Sequence, residues 1–87
     1  MHTDNLDPVA VLRLFAAARE AAGVTADRFD APTVGGVLDQ AIARYGPAFA
    51  AVLAGSRVWL NGDPSTPDQP VTDRDEVAVL PPVSGGT

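Results

Sequence analysis

The sequence predicts an α+β domain, a small mixed sheet packed on one face by a main helix. Three observations predict it. Val34, Val37, Leu38, Ala41, Ile42 and Tyr45 recur at helical spacing and form one apolar stripe. Segments before and after that stripe alternate apolar residues with a period of two, as half-buried strands do. The order strand, strand, long helix, strand, short edge, strand places two hairpin-like units around one helix. At 87 residues the chain has room for one domain with a single modest core.

The polar, acidic stretch 1–8 reads as a disordered lead. Val9 to Phe15 reads as the first strand, with Leu12 and Leu14 on one face and Val11, Arg13 and Phe15 on the other. Ala16 to Ala22 is a short helix of strong helix formers, stopped by Gly23. Thr25 to Asp30 is a weak second strand anchored by Phe29. Pro32 and Thr33 open the main helix, with Thr33 as its N-cap, and Gly46-Pro47 ends it. Ala48 to Ala54 is a further helical turn that packs Phe49, Val52 and Leu53.

Ser56 to Asn61 is the third strand, with Val58 and Leu60 opposite Arg57 and Trp59. Asn61-Gly62 signals a tight turn that tolerates positive φ. Asp63 to Pro70 holds three prolines and reads as a loop or edge segment, and Asp73 to Glu76 as a polar turn. Val77 to Leu80 is the last strand, with Val77 and Val79 facing away from Ala78 and Leu80. The organisation is a lead over 1–8, a domain over 9–80 and an extended tail over 81–87.

Composition excludes several functions. The net charge of −5 argues against nucleic acid, which needs a basic stripe, and against anionic membranes. Without cysteine there is no disulfide, thiolate metal site or cysteine nucleophile. All six basic residues are arginine, so neither a Schiff base nor an isopeptide bond can form on an internal lysine. No apolar run reaches the ~20 residues needed to span a membrane. The first residues lack the charged and apolar regions of a signal peptide, so a cytoplasmic protein is expected.

Catalytic constellations are missing. His2 is the single histidine and falls in the lead. Asp75-Glu76 are adjacent strand-entry residues that point to opposite faces, so they make a poor acid/base couple. Gly35-Gly36 lack the spacing and lysine of a phosphate loop and read as close packing of the helix start. No metal ligands stand at structural spacing.

The last residues are more informative. Pro81-Pro82 hold the exit extended, and Gly85-Gly86 carry no Cβ and can thread a narrow slot. From Pro81 to Thr87 the segment reaches about 23 Å at ~3.3 Å per residue. It suits a terminal group delivered into another protein's active site. Phe15 and Leu80 sit at strand ends on the face away from the core, and Trp59 shares a face with Arg57. Such exposed apolar residues mark a partner surface.

Taken together, Leu14-Phe15-Ala16 with Arg19-Glu20, Pro32-Thr33-Val34, Leu60-Asn61-Gly62 and the block from Asp73 to Gly86 resemble the MoaD/ThiS family of ubiquitin-like sulfur carriers. The likeness runs from Val9 onward and is nearest to the small subunit of molybdopterin synthase. It implies a β-grasp fold and a sulfur-donating subunit without catalytic side chains of its own. The Gly86 carboxylate, once exposed, would be adenylated by an activating enzyme that uses ATP, and then converted by a sulfur donor to a thiocarboxylate. No cofactor is implied as stably bound. The loaded tail, Pro81, Pro82, Val83, Ser84, Gly85 and Gly86, would enter a large subunit, in an expected heterotetramer, and give sulfur to precursor Z for the molybdenum cofactor. The family's partner patch maps to Phe15 and Leu80, and Pro64 falls near a third contact.

One departure stands out. The family's active members end in Gly-Gly, and here Thr87 follows. Thr87 is then removed before activation, or is not native, or blocks the tail. The alternatives are a carrier for thiazole or cysteine synthesis, which shares the tail chemistry, and a non-loading β-grasp interaction module.

Overall fold

The computed structural model describes residues 9–82; the lead over 1–8 and the tail residues Val83 to Thr87 lie outside the described residues. The elements are β1 (Val9–Leu14), α1 (Ala16–Ala22), β2 (Ala26–Asp30), α2 (Val34–Tyr45), α3 (Pro47–Ala54), β3 (Arg57–Leu60), β4 (Asp63–Pro64) and β5 (Glu76–Leu80). The strands form one five-stranded sheet in the order β2-β1-β5-β3-β4. β1 and β5 run parallel at its centre, and the other neighbours are antiparallel. This is the β-grasp arrangement expected from the element order.

Alternation decides which face is core. Ala10, Leu12 and Leu14 of β1, Phe29 of β2, and Val77 and Val79 of β5 are buried. They meet the α2 stripe of Val34, Val37, Leu38 and Ala41, together with Phe49 of α3. Each fully buried large side chain stabilises the fold by about 1.5–3 kcal/mol relative to exposure. Tyr45 packs edge-on between Phe29 and Phe49, with centroids 6.2 and 5.2 Å away. Its hydroxyl donates to Asp27 at 2.5 Å, and Arg44 pairs with the same carboxylate at 3.0 Å. The Tyr45 hydroxyl, foremost, holds Asp27 below the usual carboxylate range. Burial, then the hydrogen bond to Asp27, pushes the Tyr45 phenol above its ordinary value.

The punctuation follows backbone chemistry. Gly23 closes α1 in the left-handed region at φ 82°. Asn61 and Gly62, at φ 53° and 89°, make the two-residue hairpin between Leu60 and Asp63. Thr33 caps α2 by accepting from the Gly36 N–H at 3.1 Å. The other free N–H groups of that terminus donate to the Pro-rich loop, Val34 to the Gln69 carbonyl at 2.9 Å and Gly35 to Pro67 at 2.7 Å. A Cβ on Gly35 would lie 3.0 Å from the Pro67 oxygen, so the glycine permits this loop to seat. The same loop buries Val71, whose N–H donates to the Pro32 carbonyl at 3.0 Å.

Both sheet edges are guarded. On β2 the Arg28 N–H is taken by the Asp27 carboxylate at 2.8 Å, and the Asp30 carbonyl accepts from Gln40 at 2.6 Å. β4 is two residues long and contains Pro64, which has no N–H to offer.

A few boundaries differ from the sequence reading. Phe15 is the extended N-cap of α1 rather than the last residue of β1, because the chain turns there into the helix layer. Thr25 and Ser56 lie just outside their strands, α3 begins one residue early at Pro47, and Glu76 already pairs as β5. Pro47 suits the first helical turn, where a missing N–H costs nothing.

Two predictions follow from the backbone and from the Tyr45 network. Ala16 is held at φ 51°, where a Cβ is strained. Ala16→Gly therefore raises stability by about 0.5–1 kcal/mol in urea unfolding, with an unchanged slope. Tyr45→Phe costs about 1 kcal/mol at neutral pH through the lost hydrogen bond. Asp27 has its pKa lowered on folding, so its contribution is complete above its unfolded value of 3.8 and fades as pH falls through the folded value. The difference between wild type and Tyr45→Phe thus narrows in strong acid, as urea titrations across that range will read.

Candidate functional site

The outward-facing side chains of the central strands build one feature. Along β5 the outward positions are Glu76, Ala78 and Leu80, alternating with buried Val77 and Val79. In register, Ala78 is flanked by Trp59 of β3 on one side and Arg13 of β1 on the other. A methyl group between two long side chains leaves a depression. Phe15, Trp59, Gly62, Glu76, Ala78 and Leu80 line this open dish of about 290 Å³. Phe15 is 45% exposed and Leu80 37%, and Trp59 is half-buried.

Phe15 owes its place to the β1–α1 junction. Its backbone is extended, and Ala16 turns the chain sharply enough for α1 to begin in the helix layer while Phe15 keeps the outward phase of Arg13. Leu80 owes its place to the parallel pairing of β5 with β1. Arg13 and Glu76 form an ion pair on the same face, between two exposed groups. The chain continues from Leu80 through half-buried Pro81 and exposed Pro82, which belong to no helix or strand.

The entry to β5 is tied by polar contacts. Asn61 accepts from the Glu76 N–H at 2.8 Å and donates to the Asp75 carboxylate at 2.9 Å. Asp75 also accepts from the Thr72 N–H at 2.8 Å. The Asn61 amide, then Thr72, keeps Asp75 below the usual carboxylate range. Asp75 is thus a turn-pinning group and Glu76 an ion-pair partner. The N–H groups of Gly35 and Gly36 are already bonded within the fold, as close packing of the helix start requires.

Of the site residues named from sequence, Phe15 and Leu80 line one surface, and Pro81 and Pro82 lead away from its rim. Val83, Ser84, Gly85 and Gly86 lie outside the described residues. Pro64 is exposed and stands opposite Trp59 in the β3–β4 register, behind the tryptophan as seen from the dish. Sequence reasoning grouped Trp59 with Phe15 and Leu80 as a mark of a partner surface, and the three do line one dish, but it missed Ala78 and Gly62. Their role depends on cross-strand register, and the outward phase shared by Ala78 and Leu80 was the only local signal.

Comparison with known proteins accords with this geometry. A family model described as the ThiS family matches residues 12–86. A search of curated proteins by sequence gives no match. The crystal structure of SAMP1 from Haloferax volcanii is 31% identical, with 90% of this chain and 99% of that chain covered and a TM-score of 0.79. The solution structure of small archaeal modifier protein 1 from Methanosarcina acetivorans is 28% identical, with 92% and 98% covered and a TM-score of 0.80. A complex of subunits 1 and 2 of molybdopterin-converting factor from Helicobacter pylori contains a chain 22% identical, with 90% and 99% covered and a TM-score of 0.65, a likeness of fold alone. With a match that runs from the middle of β1 through the double glycine, over a sheet of β-grasp order, the chain belongs to the ThiS family, the ThiS/MoaD type of ubiquitin-like sulfur carriers.

Proposed function

We propose that this chain is the sulfur-carrying subunit of a molybdopterin synthase and that Gly86 is the residue loaded. The observation that favours this reading most is the apolar dish at the point where Pro81-Pro82 leave the sheet. A tail that must enter another protein needs a docking surface at its base, and Phe15 and Leu80 are apolar and exposed there.

The chemistry suits a chain without cysteine. A carboxylate is a poor electrophile. Attack of the Gly86 carboxylate on the α-phosphorus of ATP expels pyrophosphate and leaves an acyl-adenylate. Hydrosulfide released by a donor then attacks the acyl carbon, the acyl–oxygen bond to AMP breaks, and a thiocarboxylate remains on the backbone terminus. The large subunit supplies the catalytic side chains that pass sulfur to precursor Z, and two deliveries complete the dithiolene. The activating enzyme, the sulfur donor and the large subunit are the partners of this scheme. The Helicobacter pylori complex of two such subunits supports the pairing by analogy of fold. ATP is consumed by the activating enzyme and is not a resident group here. The setting is the cytoplasm; among the described residues, no helix is long and apolar enough to cross a membrane.

A second reading is a protein modifier, favoured by the higher identity to Haloferax volcanii SAMP1, 31% against 22% for the molybdopterin-converting chain. Both readings share adenylation at the double glycine and diverge afterwards. A thiocarboxylate that turns over with precursor Z supports the carrier. Linkage of the tail to amines of other proteins, with no turnover of precursor Z, supports the modifier.

Two measurements test the carrier reading. The first is intact mass after incubation with ATP, activating enzyme and a sulfur donor. A form ending at Gly86 gains the mass difference of sulfur for oxygen, and a form ending at Thr87 does not. One residue moves the carboxylate by up to ~3.5 Å, whereas near-attack geometry tolerates only about 1 Å. Equal loading of both forms overturns the dependence on Gly86, and loading of neither favours a non-loading module.

The second measurement is calorimetric titration of Phe15→Asp and Leu80→Asp against the large subunit. Each variant binds at least ~2 kcal/mol more weakly, because an unpaired carboxylate is desolvated in an apolar contact. Each isolated domain unfolds within about 0.5 kcal/mol of wild type, as surface substitutions do. If Phe15→Asp unfolds the free domain, Phe15 is a core residue and the docking role falls.

A further inference from the structure

We infer that the idle tail parks in a cleft on the free edge of β3, with Val83 on an apolar floor and the exposed Gly86 carboxylate on Arg57. The inference rests on the carrier reading for a tail that ends at Gly86. It goes beyond that reading by giving the tail a resting place on its own domain.

The cleft exists because β3 outruns its edge partner. β4 covers only Trp59 and Leu60. Beyond Pro64 the Ser65 N–H donates to the Val58 carbonyl at 3.0 Å, and the chain then leaves the sheet for the start of α2, where the Pro67 carbonyl accepts from Gly35 at 2.7 Å. The Val58 N–H faces the same edge and meets no acceptor among the described residues. The gap between strand and loop holds about 320 Å³. Val34, Leu38 and Val58 form its apolar floor, Ser65 and Thr66 its loop side, and Arg57 stands at its mouth. Arg57 is exposed and takes part in neither ion pair of the described residues. An apolar floor, one edge N–H and one unpaired guanidinium together complement an extended segment that carries an aliphatic side chain and an anionic group.

The tail fits in position, length and charge. Leu80 lies opposite Arg57 in the β3–β5 register, so the chain leaves the sheet one strand away from the cleft. Two strand spacings, about 10 Å, separate Leu80 from the free edge of β3. The stretch from Pro81 to Val83 reaches ~10 Å, and that from Pro81 to Gly86 ~20 Å. The tail has no charged side chain, so a Gly86 terminus, as carboxylate or thiocarboxylate, is its single charge. The acidic lead joins β1 at the opposite end of the sheet and two strands away, which leaves the tail as the nearer segment. An exposed guanidinium–carboxylate pair is a weak hold, and the short tether offsets that weakness by keeping the tail at a high effective concentration. Parked and free tails therefore exchange, and an enzyme that takes the tail binds it with an affinity lowered by the parked fraction.

The chain has no cysteine, so Ser84→Cys in the form ending at Gly86 takes a single nitroxide label. β1 and β3 flank β5 on its two sides, and a free tail broadens amide NMR signals on both sides alike. The parked tail is expected to broaden Val58 and Thr66 at least twofold more than Arg13 and Phe15. Arg57→Gln is expected to bring that ratio back to about one, and Arg57→Lys to keep part of the bias. Equal broadening on both sides, or a bias that survives Arg57→Gln, overturns the parked tail while the carrier reading stands. The same bias in a mixture of nitroxide-free, isotope-labelled chain with nitroxide-bearing, unlabelled chain assigns the cleft to the tail of a second copy and overturns the parking within one chain. A bias toward the cleft in a chain whose Gly86 the activating enzyme never loads upholds the contact and overturns the carrier reading.

Discussion

The parallel pairing of β1 with β5 is the constraint on which the rest of this structure depends. These two strands come from opposite ends of the chain, and their register sets Leu12 beside Val77 and Leu14 beside Val79 in the core. Because they run in the same direction, both finish at the same end of the sheet. Phe15 and Leu80 become neighbours on the outer face through that pairing. An antiparallel arrangement would send them to opposite ends, and the exit of the chain would have no apolar surface beside it. A parallel pair cannot be joined by a tight turn, so the whole helical layer and the β3–β4 hairpin serve as its crossover. The core contacts of Phe29, Tyr45 and Phe49 hold that crossover against the sheet.

Much of this was legible in the sequence because its signals are local. The two-residue alternation of Leu12 and Leu14 against Arg13 fixes which face of β1 is buried. The same holds for Val77 and Val79 in β5, and helical spacing does it for Val34 to Tyr45. Thr33, Gly23 and Asn61-Gly62 act within a few residues of themselves, and each takes the expected part. Other features are not local. Val71 falls between the Pro-rich segment and the polar turn with no local signal of its own, yet it is buried because the Pro-rich segment folds over the start of α2 and bonds its free N–H groups. Ala78 has no mark of its own, and its importance comes from Trp59 and Arg13 on either side. Asp27 is an exposed-looking acid in a weak strand, yet Tyr45 reaches it from the end of the main helix.

Within the site, rigidity and openness are divided between neighbouring residues. Asn61 ties the β3–β4 turn to the start of β5 through backbone and side-chain bonds, and Asp75 is fixed by the turn that precedes it. These contacts hold the floor of the dish in register without occupying it. The apolar rim residues are exposed on elements whose other faces are packed tightly, so a partner meets a surface that needs little ordering on contact.

The guarded sheet edges have a consequence for how such a protein survives on its own. A domain that keeps an apolar dish open to water invites self-association, and bare strand edges would turn a weak collision into a growing ladder. Asp27 occupies the Arg28 N–H and Gln40 the Asp30 carbonyl, and Pro64 blunts the far side. Sticky encounters between free copies can therefore be brief and reversible, limited to one small face, and they leave no seed for a fibre. The same chain can accumulate ahead of its partner without the backbone becoming a template.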